Sequence, residues 1–106
     1  MPNYVLMTRL SMEVAQDPRG RKKVGAEWKR KVDELCPEVK WVAHYALLGP
    51  YDFMDIYEAP NDVIAHKVSM ISRVFGAVRA ESWPAIPYDS FLAVADAVEG
   101  GMRHDE

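Results

Sequence analysis

The spacing of apolar positions changes period in an ordered way along the chain. Tyr4-Val5-Leu6-Met7-Thr8-Arg9-Leu10 is short, apolar and β-favouring, and predicts a first strand buried on both faces. Asp17-Pro18 is a helix-start signal, with Pro suited to the first helical position. Val24, Trp28, Val32 and Leu35 then recur at helical spacing, with Lys, Arg and Glu between them. Gly20 and Gly25 weaken the first turns of this helix. Pro37 ends it, because the residue before a proline avoids the helical region.

Val39 to Leu48 predicts a second strand and Tyr51 to Glu58 a third, with only Gly49-Pro50 between them. Gly at the first central position suits a type II′ hairpin turn, and the fixed φ of Pro suits the second. Pro60-Asn61-Asp62 opens another helix, whose stripe is Ile64, Val68, Ile71 and Phe75 and whose stop is Gly76. Ala77 to Trp83 predicts a fourth strand that ends at Pro84 and Pro87. Phe91, Leu92, Ala95 and Val98 predict a short terminal helix. The order is β-α-β-β-α-β plus a helix. It implies an α+β, ferredoxin-like fold with a four-stranded antiparallel sheet and both main helices on one face. The expected domain is 1–99, followed by a flexible tail over 100–106.

The hairpin assigns faces. If Gly49-Pro50 is the whole turn, Leu48 pairs with Tyr51, Ala46 with Phe53, His44 with Asp55 and Val42 with Tyr57, and all of these share one face. Trp41, Ala43, Tyr45 and Leu47, with Asp52, Met54 and Ile56, take the other. Both sets are apolar, yet the plan has helices for only one. The set containing Phe53 and Tyr57 is expected on the uncovered face. Monomers avoid apolar patches of that size, so a second copy placed sheet to sheet about a two-fold axis is expected, giving a dimer or a multiple of dimers.

Composition narrows the function. The chain has 106 residues, 49% of them hydrophobic and 27% charged, the balance of one globular domain. The net charge of −3 gives no general attraction to nucleic acid, and the basic run from Arg19 to Lys31 reads as the wet face of a helix. One cysteine, Cys36, excludes a disulfide scaffold within the chain and fits a reducing compartment, with the thiol as a small apolar filler. No run approaches the roughly 20 apolar residues of a membrane span. Met1-Pro2-Asn3-Tyr4 lacks the basic and apolar regions of a signal peptide. A cytoplasmic location follows as an expectation, with no membrane or nucleic-acid partner.

Leu48-Gly49-Pro50-Tyr51-Asp52, followed by Glu58-Ala59-Pro60-Asn61-Asp62, resembles the GYD domain family: Gly-x-Tyr-Asp, a strand, then Glu-Ala-Pro and an acidic helix start. Tyr45, Val78-Arg79 and the opening Tyr4-Val5-Leu6 fit as well, so that the resemblance runs over about residues 3 to 92. Pro37-Glu38 departs from it, standing where a glycine-rich helix stop is expected. The resemblance implies the dimeric α+β barrel group, which includes ligand domains of leucine-responsive-type regulators and small monooxygenases and isomerases. It does not imply a reaction.

His44 and Asp55, expected as cross-strand partners on the open face, are the sharpest chemical pair. A carboxylate that fixes the tautomer of an imidazole makes it a general base by type; the bland alternative is a structural hydrogen bond. Tyr51 and Asp52 carry the family motif and are expected either to contact a ligand or to serve turn chemistry. Arg79, beside Glu81, is expected to clamp an anionic ligand or to form a solvated ion pair. His44, His66 and His104 fall in different elements, so no metal site is expected, and no cofactor fingerprint is present. Three functions follow: a small-molecule-binding domain with its ligand in or beside the dimer barrel, a cofactor-independent monooxygenase- or isomerase-like enzyme using His44 and Asp55, and a structural oligomer component.

Overall fold

Each predicted element forms, and one more appears. The computed structural model describes residues 1–104 as β1 (Asn3–Leu10), α1 (Met12–Gln16), α2 (Pro18–Leu35), β2 (Lys40–Ala46), β3 (Phe53–Glu58), α3 (Asp62–Val74), β4 (Ala77–Ala85) and α4 (Tyr88–His104). The last two positions of the tail expected to be flexible lie outside the described residues. The strands form one antiparallel sheet in the order β2-β3-β1-β4. This is an α+β, ferredoxin-like arrangement.

Helix ends follow the capping signals. Asp17 accepts a hydrogen bond from the Arg19 N–H with Pro18 at the first helical position, and Asn61 accepts from Ile64 N–H at the start of α3. The extra helix α1 begins where Ser11 Oγ accepts from Val14 N–H. Gly76 follows α3 with φ +101°, and a Cβ there would stand 2.7 Å from Val14 Cγ2. That position therefore requires glycine twice over, for its dihedral and for the approach of α1.

The core lies between the sheet and the α2–α3 layer. Leu6, Val32, Tyr57 and Val68 are completely inaccessible there, and each is worth about 1.5–3 kcal/mol of burial. An aromatic ladder runs through it: Trp28 to Trp41 at 5.2 Å, Trp41 to Tyr57 at 5.5 Å, and Tyr57 to Tyr4 at 5.4 Å between ring centroids. Cys36 is buried in this core, where desolvation raises its thiol pKa.

Five sequence expectations need correction. First, the covered and uncovered faces are exchanged: Tyr4, Leu6, Thr8, Phe53, Asp55 and Tyr57 face the helices, so His44 and Asp55 are not on the open face. Val5, Met7, Ala43, Tyr45, Met54, Ile56 and Trp83 alternate with them and form the open face. Nothing in the hairpin pairing alone says which side the helices take. Second, β1 is an alternating strand rather than one fully buried on both faces, since Val5 is half-buried and Arg9 exposed. Third, Val42 bulges out of register, so Trp41 rather than Val42 faces Tyr57, while His44↔Asp55 and Ala46↔Phe53 pair as counted. Fourth, the strands stop at Ala46 and Phe53, with Leu47 N–H donating to Asp52 O across a loop wider than Gly49-Pro50. Fifth, Leu35 is exposed and Cys36 fills the inward position that ends the α2 stripe.

The C-terminal part is also longer than expected. β4 runs on through Pro84 to Ala85, which an edge strand permits because an N–H on its outer side is not needed. α4 passes through Gly100 and Gly101, and its side chains are exposed along nearly its whole described length.

Candidate functional site

A cavity of about 200 Å³ opens between the helix-facing side of the sheet and α2, closed at its ends by α1 and the last turn of α3. Val24 and Trp28 of α2, Phe53 of β3 and Phe75 supply apolar wall. Thr8, Ser72, Arg21, His44 and Asp55 supply its polar groups. The placement follows from the strands: Thr8, Phe53 and Asp55 point to the helices because strand side chains alternate, and the cavity lies beyond the end of the aromatic ladder. Trp28 is held in place by donating from Nε1 to Ser72 Oγ at 2.7 Å, and Ser72 in turn donates to Val68 O at 2.9 Å.

His44 and Asp55 meet at the cavity wall. His44 Nδ1 lies 2.5 Å from Asp55 Oδ1, with the Asp55 side chain 7% exposed and that of His44 62% exposed. The imidazole stacks on Phe53 with ring centroids 5.5 Å apart. Burial pushes the Asp55 carboxyl above the ordinary carboxylate range, and the neighbouring His44 offsets part of that rise. With Asp55 ionised, Nδ1 carries the hydrogen and Nε2 is left to take or give a proton. The pair thus joins a buried carboxyl to an exposed imidazole.

Arg21 is the third charged group. Its Nε is buried and has no hydrogen-bond partner among the described residues, and its Nη2 stands 3.9 Å from Asp52 Oδ1, beyond hydrogen-bond range. Asp52 is engaged elsewhere: its Oδ2 accepts from the Leu10 N–H and its own N–H donates to Thr8 O, both at 2.8 Å. These bonds pin the β2–β3 loop to the end of β1, which is the turn chemistry expected of this residue as one alternative.

Of the residues singled out in the sequence, the structure therefore brings His44 and Asp55 to the cavity and sets Asp52 behind Arg21. Tyr51 and Arg79 are elsewhere. The Tyr51 hydroxyl donates toward Glu81 at 3.2 Å, its ring meets Trp83 edge-on, and Trp83 Nε1 donates to Glu81 at 3.0 Å, all on the open face. Arg79 is exposed on that same face. Arg21, Gly25 and Trp28 also line the cavity, with no sequence motif to mark them as site residues. The signal was present for Arg21: it precedes Val24 by three positions and Trp28 by seven, placing a charge on the apolar stripe rather than on the wet face with Lys22, Lys23, Lys29 and Arg30.

A wider groove of about 540 Å³ lies between α3 and β4. Across it Tyr4 donates to Asp62 at 2.6 Å, the Ser69 and Ser82 hydroxyls stand 2.8 Å apart, and Ser82 accepts from the Tyr57 hydroxyl behind the groove at 2.7 Å. The bond to Asp62 and burial together push the Tyr4 hydroxyl up to about 12, and burial does the same to Tyr57. Among the described residues no group of three His, Cys, Asp or Glu stands close enough to hold a metal ion, and no helix is long and apolar enough to cross a membrane.

Residues 4–95 match the GYD domain. A Thermus thermophilus protein named "glutamine synthetase and cystathionine beta-lyase binding protein" is 29% identical over 97 residues, covering 88% of this chain and 97% of its own. The crystal structure of FFRP-DM1 overlaps 81% of this chain and 100% of its own, at 18% identity and a TM-score of 0.49.

Proposed function

This chain belongs to the GYD domain family, and from that premise we propose that it is a homo-oligomeric domain that binds a small molecule in the cavity between the sheet and α2. The observation that carries the reading is the cavity itself. It is mainly apolar, holds a few convergent polar groups, and contains a carboxyl whose pKa is displaced by burial, which is the usual make-up of a ligand site. The cavity lies within one copy of the chain, so the ligand sits beside a dimer barrel rather than inside it. Oligomer formation is supported by the open face, where Val5, Met54, Ile56 and Trp83 have no helix over them. Sheet-to-sheet pairing of two copies covers that face.

Native mass spectrometry of freshly purified protein tests both parts. A dimer, or a multiple of one, carrying a co-purified small molecule is the expected result. Ile56→Glu, in the middle of the open face, is expected to yield monomers that keep the cavity. A ligand-free protein whose melting temperature is unmoved by a broad metabolite panel overturns the binding part. An oligomer unchanged by Ile56→Glu overturns the sheet-to-sheet part.

A second reading, a component that binds another protein, is favoured by α4. Tyr88, Phe91, Leu92, Val98 and Met102 recur at helical spacing and are all exposed. The relative from Thermus thermophilus is named for binding two enzymes. Co-sedimentation of this chain with a glutamine synthetase or a cystathionine beta-lyase, lost in Leu92→Asp, carries that reading; no co-sedimentation removes it. Catalysis through His44 and Asp55 in the manner of a cofactor-independent monooxygenase or isomerase needs the same cavity, and a His44→Ala variant that keeps any activity found removes it.

A further inference from the structure

We infer that the cavity takes a small organic monocarboxylate with a flat or short apolar body, its carboxylate held by Arg21 at the rim; this rests on the small-molecule reading above. Three observations lead to it. The first is the Arg21 Nε, which is buried and unpartnered among the described residues. A buried donor without an acceptor is destabilising, the more so on a charged group, so natural structures rarely leave one without a reason. Asp52 does not relieve it, because that carboxylate faces Nη2 at 3.9 Å and already accepts from the Leu10 N–H. A guanidinium edge is matched by a planar carboxylate.

The second observation is the wall. Trp28, Phe53 and Phe75 present rings and Val24 a branched chain to a space of about 200 Å³. A dry cavity of about 150 Å³ accepts benzene, whereas drug-sized ligands occupy from about 300 Å³ upward. The space therefore suits a ring or short chain with one small head group. Asp55 also faces the cavity, but its Oδ1 is engaged by His44 Nδ1 at 2.5 Å, so Arg21 is the group at this cavity suited to hold an anion.

The third observation is Gly25, one helical turn beyond Arg21 and also at the rim. A Cβ there would meet nothing within 4 Å, and its φ is not in the left-handed region. Neither crowding nor dihedral strain calls for glycine in the middle of α2, where it is less favourable than alanine. Open space beside the guanidinium is what the glycine provides.

The test is calorimetric titration with matched pairs: benzoate, phenylacetate and hexanoate against benzamide, phenylacetamide and hexanamide. Wild type is expected to bind at least one acid about tenfold or more tightly than its amide, the scale of a charge-assisted hydrogen bond. Arg21→Met is expected to erase that preference while still binding the amide. Gly25→Leu is expected to lose both ligands while circular dichroism shows the fold intact. Equal affinity for acid and amide in wild type, or a preference that survives Arg21→Met, overturns the anion assignment and leaves small-molecule binding standing. Acid binding that survives Gly25→Leu overturns the placement at this rim. No binding of any of the six overturns the assignment together with the cavity's role as their site.

Discussion

The two faces of the sheet are built from the same strands and are about equally apolar, but only one is finished within the chain. The helix-facing side joins Leu6 and Tyr57 to small residues, Ala59, Ala65, Ala77 and Ala80, which let α3 approach closely. It also holds the buried polar residues Thr8, Asp55 and Ser72, all of them at the cavity. The open side carries Val5, Met54 and Ile56 half-buried by their neighbours, with Tyr45 and Trp83 largely exposed. Apolarity alone thus does not say which side is core. What separates the sides is burial: alanines and polar side chains are buried under the helices, whereas Ala43 and the Tyr51–Glu81–Trp83 set on the open side stay partly exposed.

Truncation on each face gives the largest expected effect. Leu6→Ala removes a completely buried side chain and is expected to cost about 3 kcal/mol, read as the loss of denaturation free energy. Ile56→Ala, half-buried on the open side, is expected to cost about 1 kcal/mol in an isolated copy, and more as protein concentration rises if two copies pair through that face. Equal costs for the two variants at every concentration would erase the distinction between the faces.

Glycines give a smaller effect of opposite sign on the two sides of the cavity. Gly76→Ala is expected to destabilise by about 1–3 kcal/mol, because φ is +101° and the new methyl meets Val14. Gly25→Ala is expected to stabilise by about 0.5–1 kcal/mol, since its Cβ enters open space in a helix interior. Thermal denaturation of the two variants side by side measures both.

Local chemistry made most of the fold readable. Asp17-Pro18, Pro37, Asn61 and Gly76 act within a few residues of themselves, and each marks a boundary close to its place in the structure. The His44↔Asp55 pairing was readable too, because the register survives a change in loop width provided both strands shift symmetrically. Three features were not. The bulge at Val42 depends on Trp41 finding Trp28 and Tyr57 in the core. The choice of covered face depends on contacts from helices distant in sequence. The role of Arg21 depends on a cavity that no spacing rule describes, although its phase on the α2 stripe was visible.

The smallest expected effect is a pH dependence that separates Asp55 from every exposed carboxylate. Its folded pKa is raised, chiefly by burial, while His44 lowers it in part through charge and hydrogen bonding. A raised carboxyl contributes stability that is fully present below its unfolded pKa and is lost as pH rises through the folded value. Asp55→Asn cannot ionise, so its melting temperature relative to wild type is expected to rise as pH goes from about 3 to about 7. His44→Ala removes the group that holds the Asp55 pKa down. The loss then extends to higher pH and grows larger, and the difference between His44→Ala and Asp55→Asn is expected to widen over the same range. Titration of the remaining carboxylates is common to all three proteins and cancels in the differences. Parallel melting curves for the three proteins across that range would mean that Asp55 is solvated, and the dry side of the cavity would have to be drawn without it.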